Sequence, residues 1–92
     1  MMQTIRFIET PNGPIAVVET PRHLLADEIS ATRLRTRLSR TLGDIPVLLR
    51  CRTGSSFAFN GPPYLQRYAV DPMFDALPAV DICLRSSLEE AA

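Results

Sequence analysis

The chain has 92 residues, 46% hydrophobic and 22% charged, and its ten acids balance its ten bases for zero net charge. That composition excludes global disorder, and the charge balance argues against a general polyanion binder. One domain of this size buries only about 60–65% of its unfolded surface, so a partner or a second copy would add stability.

All ten bases are arginine and none is lysine. This fits the codon usage of a GC-rich, bacterial genome, and arginine is also the better residue for bidentate anion contacts. Cys51 and Cys83 lie far apart and form neither a disulfide scaffold nor a CxxC pair. The N-terminus lacks the apolar run of a signal peptide, and no segment approaches the ~20 apolar residues of a membrane span. A soluble, cytoplasmic protein is expected.

Thr4 to Glu9 alternates, with Ile5 and Phe7 on one face and Arg6 and Ile8 on the other. Pro11-Asn12-Gly13-Pro14 is a turn cluster, and Ile15 to Glu19 reads as the returning strand. Pro14 cannot donate to a ladder, which predicts a turn longer than two residues. Thr20-Pro21 is a helix start, and the helix should run to about Leu42 and stop at Gly43. Its apolar residues split into two sets. Leu24, Ala31, Leu34, Leu38 and Leu42 share a face, whereas Leu25 and Ile29 point roughly 140° away. The helix therefore either breaks near Ser30 or is covered on two sides in its first turns.

Pro46 to Arg52 and Ser56 to Phe59 form a second hairpin about Thr53-Gly54-Ser55. A proline-started helix from Pro62 to Val70 follows, then a short helical turn from Pro72 to Leu77. Val80 to Arg85 is a last strand, and residues 86–92 are expected to fray. The order β-β-α-β-β-α-β predicts one α+β domain over residues 1–85. We expect a two-layer sandwich: a mostly antiparallel five-strand sheet with both helices on one face. The expected core is Ile5, Phe7, Ile15, Val17, Leu34, Leu38, Val47, Leu49, Phe57, Phe59, Leu65, Ile82 and Leu84.

Ile45-Pro46-Val47-Leu48-Leu49, followed by Gly54, Phe57, Asn60, Leu65, Arg67 and Tyr68, resembles the second half of thioredoxin-like and glutathione-transferase N-terminal domains. Both have a proline just before a strand, then a hairpin and a helix. The resemblance covers about a third of the chain, and it implies a pocket beside Pro46. The first half departs from it, because a hairpin replaces the strand-helix unit. No cysteine, serine or tyrosine starts the long helix to act on a thiol.

Single residues with chemical potential each have a plainer role. His23 is a helix-start residue without a neighbouring nucleophile. Asp27 and Glu28 suit the positive end of a helix, and neighbouring positions point about 100° apart, too far to converge on one metal. Cys51 should face the core, and Cys83 outward. Thr53-Gly54-Ser55-Ser56 joins two strands and so lacks the helix that a phosphate cradle requires. Tyr64 and Tyr68 share a helix face and read as core or interface residues.

Two surfaces remain. Arg33, Arg37 and Arg40 recur along one helix face, where they could lie on a nucleic-acid backbone. Under the one-face arrangement the open side of the sheet would carry Arg6, Ile8, Ala16, Val18, Leu48, Arg50 and Arg52. Arginine around apolar centres is typical of association surfaces. The sequence thus points to a small non-catalytic interaction domain that forms a homodimer or docks on a larger protein. A nucleic-acid accessory protein using the arginine stripe is the alternative, and a transferase-like fragment a weaker one. No catalytic, cofactor or metal site is expected.

Overall fold

The computed structural model describes residues 2–70 and 72–83. β1 (Met2–Thr10) and β2 (Gly13–Glu19) form a hairpin, followed by α1 (Arg22–Ala26) and α2 (Glu28–Thr41). β3 (Val47–Thr53) and β4 (Ser56–Asn60) form a second hairpin. Then come α3 (Pro63–Ala69), a 3-10 turn (Pro72–Ala76) and β5 (Val80–Cys83). The α+β class and the element order are as the sequence predicts, with the long helix divided in two. Leu84, the direction of the Cys83 side chain and the tail 86–92 lie outside the described residues.

The strands make one sheet in the order β4-β3-β2-β1-β5. It is mixed: β2 and β3 run parallel, joined by the α1–α2 crossover, and every other pair is antiparallel.

Both hairpin loops are only two residues long. Thr10 pairs with Gly13 across Pro11-Asn12, and Gly13 takes the positive φ of 112° that the tight turn requires. The Asn12 amide donates to the Thr10 hydroxyl oxygen at 3.2 Å, and that hydroxyl donates to the Gly13 carbonyl at 2.7 Å. The longer turn predicted from Pro14 is not formed. Pro14 precedes the stretch of β2 paired with β3, which starts at Ala16, so its missing N–H leaves no gap in that ladder.

Loop length then decides the faces. Ile5 stands opposite Val18 and Ile8 opposite Ile15; Phe57 stands opposite Arg52 and Phe59 opposite Arg50. Directly opposed residues share a face, and a one-residue change of register exchanges the faces of a strand. Ile15, Val17, Phe57 and Phe59 therefore lie on the side opposite Ile5, Val47 and Leu49, where the sequence reading had grouped them together.

The two sides carry separate cores. On one, Ile5, Ala16, Val18, Val47 and Leu49 pack against Ala31, Leu34 and Leu38 of α2, with Leu24, Leu25, Leu42, Ile45 and Ile82 around them. On the other, Ile15, Val17 and Leu48 pack against Leu65 and Ala69 of α3 and Phe74 of the 3-10 turn. Helical elements thus cover both faces, in place of the one-face arrangement. The physical reason is the unbroken apolar runs Ile15-Ala16-Val17-Val18 and Val47-Leu48-Leu49, which need cover on both sides. Phe7, expected in the core, is 39% exposed. It points to the α2 side from β1, while α1 and α2 pack over β3 and β4.

The helix breaks at Asp27, whose extended backbone (φ −94°, ψ 103°) separates α1 from α2. Its carboxylate caps α2, accepting from the Ile29 amide at 3.2 Å and from the Ser30 hydroxyl at 2.7 Å. Thr20 does not cap α1; its hydroxyl donates to the Val18 carbonyl instead. Hydrogen bonds from the Ser30 hydroxyl and amide, helped by the Ile29 amide and the charge of Arg33, hold the Asp27 pKa below its ordinary value. A carboxylate with a lowered folded pKa contributes fully above its unfolded value of about 3.9 and loses that contribution as pH falls through the folded one. Asp27→Asn should therefore flatten the acid limb of stability below about pH 4, read by urea melts at stepped pH.

Leu38 is fully buried at the centre of the α2-side core. Leu38→Ala should cost about 2–5 kcal/mol in urea denaturation, a large share of a small domain's stability.

Candidate functional site

The surface predicted from Arg6, Ile8, Val18, Leu48, Arg50 and Arg52 is largely interior. Val18 belongs to the α2 side, and Leu48 is fully buried beneath α3. Arg6, Ile8, Leu48, Arg50 and Arg52 do share the α3 side by register. Only Arg52 among them is exposed, while Arg6 and Ile8 are half-buried.

Arg50 is 3% exposed and organises this side. Its Nε donates to Glu19 Oε1 at 2.8 Å, and its Nη2 donates to the same oxygen. Its Nη1 donates to the Ala69 carbonyl at 2.8 Å, at the C-terminal end of α3, where a cation is favoured. The guanidinium also lies 4.3 Å from the centroid of Phe74 and 4.5 Å from that of Phe57. Arg6 also lies against Phe74, 5.4 Å from its centroid, and reaches Glu19 at 3.4 Å and the Leu77 carbonyl at 3.4 Å. Sheet, α3 and 3-10 turn are thus fastened through two arginines, one carboxylate and one aromatic ring.

Beside this cluster runs an apolar groove of about 170 Å³, lined by Ile8, Arg67, Tyr68, Met73, Phe74 and Leu77. Tyr68 is half-buried in its wall, and Tyr64, one helical turn earlier, is exposed. Arg67 donates to the Tyr68 hydroxyl at 3.1 Å and stacks on its ring at 5.0 Å. Met73 projects from the rim at 72% exposure, and Val70 nearby is also exposed.

A second concavity of about 380 Å³ lies on the α2 side, between the last turns of α2, the start of β3 and Pro62. A pocket beside Pro46 is what the transferase-like resemblance implies. Its lining contains no thiol, and it sits at the end of α2, away from the helix start. The loop leading into it is fixed by amide donations from Gly43 to Arg40 (3.3 Å) and from Asp44 to Ser39 (2.7 Å).

The arginine stripe is divided. Arg33 stands near Asp27, Arg37 is half-buried with an interaction of its own, and Arg40 turns to the Pro46 concavity. His23 is exposed on α1, Cys51 is buried as expected, and Thr53–Ser56 is a hairpin turn. Among the described residues no three or more His, Cys, Asp or Glu side chains group to hold a metal, and no helix is long and apolar enough to cross a membrane. Sequence reasoning missed Glu19, Phe74 and Met73. The signal for Glu19 was its place at the end of a strand apolar on both faces, where a buried partner would need a counter-ion.

No known protein family, curated protein or solved structure matches the chain.

The Arg50 network is testable by its asymmetry. Glu19→Ala removes the oxygen that accepts from two nitrogens of the buried Arg50 and should cost about 3 kcal/mol, the low end for a buried pair because Glu19 is partly exposed. Arg50→Met removes the need for the counter-ion. The double variant should therefore be more stable than the two single losses added together, in urea melts at neutral pH.

Proposed function

We propose that the chain is a non-catalytic interaction domain that associates with a second copy of itself through the α3 side. The observation carrying this reading is Met73, exposed at the rim of an apolar groove that it helps to line. A two-fold contact requires one patch to serve as both knob and hole. Here the knob is the flexible thioether of Met73, and the hole is floored by Ile8, Phe74 and Leu77. Tyr68 and Arg67 line the same groove and are residue types favoured at interfaces. Zero net charge leaves no long-range repulsion between copies.

Light scattering and sedimentation equilibrium over a wide concentration range test the reading. A reversible dimer is expected, weakened at least about tenfold by Met73→Glu. As Met73 is mostly outside the core, the variant monomer should keep its fold and melting profile. A wild type that stays monomeric at the highest concentration overturns the proposal, as does a variant that dimerises equally well.

A further inference from the structure

The Pro46 concavity has a chemistry of its own, separate from the α3 side. Its wall presents two guanidinium groups, Arg35 and Arg40, and among the described residues neither has a carboxylate partner. Arg35 is not loose. Its Nε is fully enclosed without a protein hydrogen-bond partner, and its Nη1 lies 3.4 Å from where a Cβ on Gly61 would stand. Gly61 itself must be glycine: at φ 150° a Cβ would come within 2.9 Å of Leu48 Cδ1. The tight backbone there leaves room for the guanidinium to lie against it. Asn60, the preceding residue, carries a second enclosed and unpartnered atom, Oδ1.

An enclosed donor left without an acceptor costs free energy, and each such group in a folded protein calls for an explanation. The neighbouring hydroxyls sharpen the chemistry. Ser39 already donates to the Ile45 carbonyl at 2.9 Å and Thr36 to the Thr32 carbonyl at 3.0 Å, so their oxygens can only accept. Asp44, held at a positive φ of 65°, adds a carboxylate at the rim. The last turns of α2 therefore interleave two cationic donors, Arg35 and Arg40, with two hydroxyl acceptors, Ser39 and Thr36, along the concavity.

We infer that this concavity binds a small oxyanion, a carboxylate or phosphate carried on a body with hydroxyl or amino donors. Arg35 and Arg40 take the oxyanion, while Ser39, Thr36 and Asp44 accept from the body. Arg35 is pre-positioned by Gly61, which lowers the ordering cost of binding. The C-terminal end of α2 is the negative end of its dipole, which leaves the two arginines as the source of attraction.

The test is an NMR titration of the full chain, following the Arg35 Nε–H signal and the Asp44 and Val47 amides. Inorganic phosphate and acetate are added separately, each against sodium chloride at equal ionic strength. A saturating shift with phosphate, acetate or both is expected, absent with chloride, and the stronger probe identifies the oxyanion. Arg40→Gln, at an exposed position that spares the fold, should weaken binding at least about tenfold, or 1.4 kcal/mol. Arg35→Gln should do the same wherever its amide spectrum remains folded. Shifts that are linear and matched by chloride mean ordinary screening and overturn the inference. Unchanged binding in Arg40→Gln overturns it as well.

Discussion

The pairing of Glu19 with Arg50 is the constraint on which the rest of the structure depends. The two residues are cross-strand partners at the end of the only parallel pair among the described strands. Along that pair the apolar pattern says little about alignment. Ile15-Ala16-Val17-Val18 and Val47-Leu48-Leu49 are apolar on both faces, so a slip by one residue would still bury hydrocarbon. Arg50 removes the ambiguity. Slipped by one, it would face Val18 or Thr20, a buried cation without its carboxylate, at a cost of several kcal/mol. Fixing register is the best-attested use of buried charge, and the Glu19–Arg50 pair stands where the two hairpins meet.

The same guanidinium gathers the α3 layer. By donating to the Ala69 carbonyl and lying against Phe74 and Phe57, it ties the end of α3, the 3-10 turn and β4 to the middle of the sheet. The α2 layer meets the sheet through an aliphatic core of Ala31, Leu34 and Leu38, with the Ser39 hydroxyl donating to the Ile45 carbonyl just before β3. The groove around Met73 lies on the α3 side, and the Phe74 ring lining it is the one that Arg50 stacks on.

Much of this fold was legible in the chain. Proline and glycine punctuation located the turns, five strands emerged in order, and Leu34 and Leu38 were recognised as the buried stripe of α2. What escaped was the relation between strands. Alternation says which residues within one strand share a face, but only the loop length says which residues of the next strand join them. Grouped by alternation alone, Ile15 and Val17 were set with Ile5, and Phe57 and Phe59 with Val47, whereas the two-residue loops put them on the other side of the sheet. The helices were placed on one face because hairpins with intervening helices suggest a two-layer sandwich, yet the apolar runs in β2 and β3 already asked for two covered faces. The candidate surfaces suffered the same error: arginines read as an open face are mostly the polar skeleton of an interior. Arg35 was invisible for another reason, since its significance comes from Gly61, distant in sequence and close in space.

The parallel pair also dictates the order in which the chain can assemble. Each hairpin is local and can close within about 1–10 μs. Glu19 and Arg50 are separated by 31 residues, and closing that span costs chain entropy before any contact across it is made. The crossover through α1 and α2, which brings the second hairpin alongside the first, is one of two long-range closures in the sheet; the other sets β5 beside β1. Until then Arg50 keeps its water, because its counter-ion waits on the other half of the molecule.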